Sequence, residues 1–182
     1  MTEEAKLRKD MTGKSNKYAW HAIYTRSRAE KKAFEYLKED GIEAYLPLKK
    51  TLRQWSDRKK MVEMPLIPSY IFVYVSEKEY YKALNTPYTI RYVTFNGKAA
   101  PIPEREINLL KLMLRELPND VNLIVTDIEK GDMVEITAGP LKGAKGEVVY
   151  KKGKQHFQVR LEPLGYAVQA EVAGAFLQKL KD

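Results

Sequence analysis

The sequence predicts an α+β protein in two parts: an N-terminal antiparallel sheet with helices packed on it, then a small five-stranded β-barrel. Three observations carry that prediction. Up to Pro118, alternating strand-like runs interleave with helical ones in the order strand, helix, strands, helix, strand, helix. The helical runs carry start and stop signals. From Gly131 onward only short alternating runs remain, punctuated by Gly139, Gly143, Gly146, Gly153 and Gly165, which is the pattern of a small barrel. The expected divisions are a loose tail over 1–17, a sheet-and-helix domain over 18–117, a linker over 118–130 and the barrel over 131–182. A chain of 182 residues accommodates two such small domains.

Tyr18 to Tyr24 is rich in aromatic residues and reads as the first strand. Ser27-Arg28-Ala29-Glu30 has the spacing of a capping box and is expected to open a helix with Ala29, Ala33, Tyr36 and Leu37 on one side. Gly41 is placed to end it. Glu43 to Leu48 is a short strand, and the basic segment after it is a hairpin or mobile loop with Trp55 near its tip. Ser69 to Val75 is the clearest strand. Ser76-Glu77-Lys78-Glu79 repeats the capping-box pattern and starts a short helix that Thr86-Pro87 stops. Ile90 to Phe95 is a strand that turns at Asn96-Gly97, a pair suited to positive φ. A last helix carries Ile107, Leu110, Leu114 and Leu117 on one stripe and ends at Pro118. The barrel runs are Val134/Ile136, Val148/Tyr150, Phe157/Val159/Leu161 and Val168/Ala170/Val172.

Composition excludes several function classes. There is no cysteine, so disulfides, thiolate metal sites and cysteine nucleophiles are ruled out. The two histidines, His21 and His156, fall in different domains, and no nucleophile elbow, phosphate loop or metal-ligand spacing occurs. No enzymatic activity, metal or cofactor is expected. No run is apolar enough for a signal peptide or a membrane span, so a cytoplasmic protein is expected. A monomer is expected as well.

The formal net charge is +8. Lys49 to Lys60 holds six cations against Asp57, a net +5, and Tyr24 to Lys32 holds Arg26, Arg28, Lys31 and Lys32 against Glu30, a net +3. These two segments account for the whole excess. Charge concentrated in this way is the footprint of a nucleic-acid contact, because releasing condensed counterions requires clustered cations.

In Tyr70-Ile71-Phe72-Val73-Tyr74-Val75 the side chains alternate between faces. Ile71, Val73 and Val75 make one face suited to packing under helices. Tyr70, Phe72 and Tyr74 make the other, and Trp20 and Tyr24 can join it from the neighbouring strand. Large aromatics with a polar handle dominate interaction hot spots, so Trp20 and Tyr70 are read as a partner surface. Single-stranded RNA stacking of the RRM kind is disfavoured, because Pro65-Leu66-Ile67-Pro68-Ser69 precedes the strand where that signature needs Lys/Arg-Gly.

With these residues in view, the sequence resembles the NusG family. Trp20-His21-Ala22-Ile23-Tyr24-Thr25 and Pro65-Leu66-Ile67-Pro68-Ser69-Tyr70-Ile71-Phe72-Val73 resemble two strands of the NusG N-terminal (NGN) domain. Gly131-Asp132-Met133-Val134-Glu135-Ile136, followed by Gly139-Pro140-Leu141-Lys142-Gly143-Ala144-Lys145-Gly146-Glu147-Val148, looks like a KOW motif in an SH3-like barrel. The resemblance implies that an apolar cavity grips the clamp-helix coiled coil of the largest RNA polymerase subunit, with Trp20, Ile67 and Tyr70 lining it and Phe72 below. It implies that Arg26, Arg28, Arg53, Lys59 and Lys60 face the upstream DNA fork and the non-template strand. It also implies that the KOW barrel recruits a ribosomal protein or the termination factor Rho through Leu141 and the turn Pro163-Leu164-Gly165-Tyr166. Such a factor suppresses pausing or termination.

Two residues depart from the family pattern: Leu141 stands where phenylalanine is usual, and Tyr166 where arginine is. Gly139, Gly143 and Gly146 are read as structural, serving turns and barrel packing. The run Tyr45-Leu46-Pro47-Leu48 through Arg53-Gln54-Trp55-Ser56-Asp57-Arg58-Lys59-Lys60 looks like the specialised UpxY-type antiterminators of long polysaccharide operons. The alternative reading is a ribosome-associated or RNA-binding KOW protein.

Overall fold

The structure, a computed structural model, describes residues 17–54, 58–125 and 131–180. The chain divides into two compact units: one runs up to Leu46 and continues over Pro68–Glu104, the other comprises Pro47–Ile67 and Arg105–Asp182.

The first unit is built on an antiparallel sheet. Its strands are β1 (Ala19–Thr25), β2 (Glu43–Tyr45), β5 (Tyr70–Val75), β6 (Thr89–Tyr92) and β9 (Pro101–Ile102), in the order β2-β5-β1-β6 with β9 also pairing β1. Register fixes the faces. Ile23 stands opposite Ile71 and Tyr92, and His21 opposite Val73, so the aliphatic residues share one face. Ile23, Ile71, Val73 and Val75 are all buried there.

Two helices pack on the strands. Helix α1 (Glu30–Glu39) lies against β2 and β5, with Ala33 and Leu37 wholly buried. Burying one such leucine contributes roughly 2 kcal/mol. Helix α2 (Tyr80–Asn85) covers the sheet next to β6, where the Tyr92 hydroxyl donates to Tyr80 O at 3.0 Å and the two rings stack at 4.1 Å.

The stop signals work as expected. Gly41, at φ +72, donates to Lys38 O, and Ile42 N donates to Leu37 O at 2.9 Å. α2 ends at Asn85, ahead of Pro87. Thr94–Phe95 (β7) and Lys98–Ala99 (β8) form a small hairpin across Asn96-Gly97, both at positive φ. One start signal is not used. Ala29 is the N-cap of α1 and no side chain caps it, because the Glu30 carboxylate accepts instead from Ser69 N at 2.7 Å. The second capping box does form its return half, with Ser76 N donating to Glu79 Oε2 at 3.2 Å.

The second unit contains a hairpin, a helix and a six-stranded sheet. Leu48–Gln54 (β3) and Lys59–Pro65 (β4) pair from Leu48↔Pro65 to Gln54↔Lys59. Trp55, expected at the tip, lies outside the described residues. Helix α3 (Glu104–Glu116) buries Ile107, Leu110 and Met113. Met113 is fully buried where the expected stripe had Leu114 and Leu117, which are half-buried.

The sheet runs β10-β14-β13-β12-β11-β15, from Val121–Ile124 (β10), Asp132–Ile136 (β11), Lys145–Lys151 (β12), Lys154–Leu161 (β13), Tyr166–Val172 (β14) and Leu177–Lys179 (β15). It is the predicted small SH3-like barrel with one strand more. The extra strand, β10, falls in the segment read as a linker: Val121 to Ile124 pair with Ala170 to Ala167 of β14, and Val121 is wholly buried. A run this short shows too little alternation to announce a strand, and its ladder partner lies far along the sequence. Lys49 of β3 donates its Nζ to Val121 O at 2.6 Å, tying the hairpin base to the same strand.

Phe157, Val159, Leu161, Val168 and Ala170 form the barrel core. Gly146 is where that core permits no side chain, since a Cβ would come within 2.7 Å of Phe157 Cζ and 3.1 Å of Leu109 Cδ2 in α3.

Candidate functional site

The aromatic sheet face is built by strand register. Trp20 stands opposite Tyr74, Ala22 opposite Phe72 and Tyr24 opposite Tyr70, so these side chains share the face turned away from Ile23 and Ile71. Period-2 alternation puts them there, and antiparallel pairing brings them into contact. Trp20 and Tyr74 rings lie 5.2 Å apart, Tyr24 and Tyr70 5.4 Å apart, with the Arg91 guanidinium 5.9 Å over Tyr24. Two further rings join the face, and of these only Tyr45 escapes a sequence reading. Tyr18 packs on Tyr74 at 5.4 Å, and Tyr45 of β2 stacks on Phe72 at 6.3 Å because Tyr45 and Phe72 are register partners.

Burial divides this face into floor and rim. Trp20 is 3 % exposed and Phe72 wholly buried, whereas Tyr24, Tyr70, Tyr74 and Tyr45 are half-buried. Burial pushes the Tyr45 hydroxyl well above its ordinary range, so it remains a neutral donor. Ile67, expected beside Trp20 and Tyr70, is wholly buried at the end of the 47–67 segment of the other unit.

His21 sits on the opposite face. Its Nδ1 lies 3.2 Å from Ala100 O, which can only accept, so that nitrogen carries the proton. Burial lowers its pKa and keeps the ring neutral. Its place is structural, on a strand face, as its sequence context indicates.

The basic residues fall in two groups. Arg53 and Lys60 are direct cross-strand partners on the β3–β4 hairpin, and Lys59 pairs with Gln54. Like charges placed opposite one another destabilise a ladder, so the fold tolerates a local cost to concentrate charge here. The same hairpin exposes Leu52 and Met61, another register pair, at 58 % and 50 %. Arg26 and Arg28 are exposed in the loop after β1, in the other unit, where Arg26 N donates to Tyr88 O at 2.9 Å and Arg28 adopts φ +61.

On the barrel, the predicted recruiting surface is only partly outward. Leu141 is 2 % exposed, so it anchors its turn from within the core and offers no surface; Gly139 and Gly143 flank it at φ +83 and +84. Leu164 and Tyr166 are half-buried, and Gly165, at φ +65, is exposed.

A polar network here had no local sequence signal. Arg160 grips Glu147 with two bonds of 2.7 and 2.8 Å, Gln158 donates to Glu147 at 2.9 Å, and Gln169 donates to Gln158 at 2.8 Å. Burial pushes the Glu147 carboxyl up, but the bonds from Arg160 and Gln158 outweigh it and hold the pKa below the ordinary value.

Among the described residues no cluster of three metal-ligating side chains occurs, and no helix is long and apolar enough to cross a membrane.

Known proteins carry the same two parts. The family model described as transcription termination factor nusG matches residues 18–111, and the KOW motif matches residues 130–162. The chain is 26% identical over 167 residues to transcription termination/antitermination protein NusG of several Streptococcus pyogenes serotypes, covering 84% of this chain and 91% of theirs. Among solved structures it is similar to Thermotoga maritima NusG, at 20% identity and a TM-score of 0.48, covering 91% of this chain and 98% of that one. It is also similar to a structure described as the MjSpt4:Spt5 complex, at 18% identity and a TM-score of 0.30, covering 90% and 99%. With its N-terminal half matched by the nusG model and its barrel by the KOW motif, the chain belongs to the NusG family of transcription termination/antitermination factors.

Proposed function

We propose that the chain is an RNA polymerase adaptor that grips the clamp helices of the largest subunit with its aromatic sheet face. The observation that carries this reading is the half-buried row of Tyr24, Tyr70 and Tyr74 above the floor of Trp20 and Phe72. A helical partner offers apolar knobs at helical spacing, and rings that carry a hydroxyl at the rim can bury such knobs while keeping their polar ends solvated. The β3–β4 hairpin, with Arg53, Lys59 and Lys60, meets the upstream DNA fork or the non-template strand, and Arg26 and Arg28 of the other unit are further candidates for nucleic-acid contact. Holding both partners favours the closed clamp and suppresses pausing without any covalent step.

The barrel recruits a second factor, a ribosomal protein or Rho, through Leu164, Gly165 and Tyr166. The resemblance of the run from Tyr45 to Lys60 to the UpxY-type antiterminators supports a specialised factor acting on long operons. The test is binding of the full chain to an isolated clamp-helix fragment. Saturable binding is expected, weakened about thirtyfold in Tyr70→Ala, the scale of a hot-spot truncation. An unaltered affinity in Tyr70→Ala, with Ile67→Asp also binding normally, overturns the assignment of the surface.

A further inference from the structure

The turn joining β12 and β13 has a composition that the packing of the barrel does not call for. Lys151 and Lys154 are direct cross-strand partners, and between them stand Lys152 at φ +52 and Gly153 at φ +78. Two consecutive left-handed residues make the tight two-residue turn that suits a twisted hairpin, but the first position is one where a lysine is disfavoured relative to asparagine or glycine. Like charges facing across the ladder disfavour it again. Glu171 reaches Lys154 at 2.7 Å, an exposed pair that solvent screens. The strand end therefore gathers three cations around one turn.

Beside them is Tyr150, 69 % exposed. Its hydroxyl lies 4.0 Å from where a Cβ on Gly153 would stand, so the ring lies along the turn. The barrel core is filled by other residues, Val149 and Phe157 among them, and gains little from this ring.

An open aromatic face flanked by cations fits one class of partner well. We propose that the Tyr150–Lys154 turn is a second nucleic-acid contact, specific for an unpaired strand, with the Tyr150 ring stacking on a base and Lys151, Lys152 and Lys154 meeting phosphates. A duplex is the poorer fit, because its base faces are already stacked on one another, whereas a single strand leaves them open to a ring. The inference goes beyond the proposed function, in which the barrel recruits a protein and the DNA contact belongs to β3–β4.

The test uses the full chain carrying Arg53→Gln, Lys59→Gln and Lys60→Gln, so that the β3–β4 hairpin no longer dominates binding. Short fluorescent oligo-uridine and oligo-thymidine strands are titrated, with a duplex of matched length as the comparison. Residual strand binding is expected, weakened about fivefold or more by Tyr150→Ala and preserved by Tyr150→Phe, since only the ring is needed. Lys152→Gln is expected to lower the log–log salt slope by about 0.7, the value for one phosphate contact on a single strand. Tyr150→Ala leaves duplex binding unchanged. Absence of residual strand binding, or equal binding by Tyr150→Ala at an unchanged melting temperature, overturns the proposal. Equal weakening for strand and duplex overturns it as well, because it removes the case for stacking on an unpaired base.

Discussion

The β1–β5 pair and the β3–β4 hairpin are both antiparallel ladders, yet their side chains face different surroundings. Of the six residues of β5, four are buried, including Phe72 on the aromatic face and Ile71 and Val73 on the other. In β3 the last five are exposed, and they include Leu52 as well as Arg53. The first ladder is held by packing on both faces. The second is held mainly by its own hydrogen bonds and by the anchor of Lys49 on β10. A ladder that gains so little from burial suits the proposed role of reaching a partner, and under that proposal its cross-strand Arg53–Lys60 pair meets an anionic target.

That contrast predicts unequal responses to substitution. Phe72→Ala removes a wholly buried ring and is expected to cost about 3–5 kcal/mol, enough to lower the thermal midpoint severely. A loss below about 1 kcal/mol in a denaturant titration would erase the contrast, since β5 would then be no better packed than the hairpin. Replacing Arg53, Lys59 and Lys60 together by glutamine is expected to leave the fold intact. It should lower the log–log salt slope of duplex binding by up to about 3, near 0.9 for each phosphate that is no longer neutralised. Fork-DNA titrations at several salt concentrations read this directly. Leu52→Ser, on the exposed hairpin face, is expected to change stability by no more than about 0.5 kcal/mol, the ordinary range for a surface site.

A pH-dependent effect concerns Glu106 of α3, whose Oε2 is buried without a hydrogen-bond partner. Burial pushes its pKa up to about 7, with Arg105 and Arg160 opposing and Glu162 and Glu147 adding to the rise. Because the folded chain holds this proton more tightly than the unfolded one, the stability it provides is complete below the ordinary carboxyl pKa. It is lost as pH rises towards and through about 7. Glu106→Gln should therefore gain progressively on the unsubstituted chain as pH rises from the ordinary carboxyl range to about 7, with no gain below that range and no further gain above about 7, by at most about 1 kcal/mol once solvent screening is allowed for. Melting curves across that range check the sign.

What the sequence revealed, and what it hid, follows from how local each signal is. The two faces of β5 and the membership of Trp20 and Tyr24 were legible, because alternation alone decides which side chains share a face. The stops at Gly41 and Pro87 were legible for the same reason, being set by a single residue's backbone. The Ser27 capping box failed because Glu30 found a tertiary partner in Ser69, which no spacing rule could anticipate. Strand β10 was hidden because four residues gain strand character only from β14. Tyr45 was missed as a member of the aromatic face because the pairing of β2 with β5 is not written in either strand. Leu141 was misplaced as a surface residue because a turn motif fixes backbone shape and leaves open which side chain points inward.

The most direct test of the polymerase-adaptor reading is pause lifetime during elongation by purified RNA polymerase, with the unsubstituted chain, Tyr70→Ala, and the Arg53/Lys59/Lys60 glutamine variant compared at equal concentration. Shortened pauses are expected with the unsubstituted chain, and in Tyr70→Ala a loss of the effect that a higher concentration restores. The hairpin variant should show a partial, salt-sensitive loss. Full pause suppression by Tyr70→Ala at every concentration would refute the reading, because the aromatic face would then have no part in gripping the polymerase.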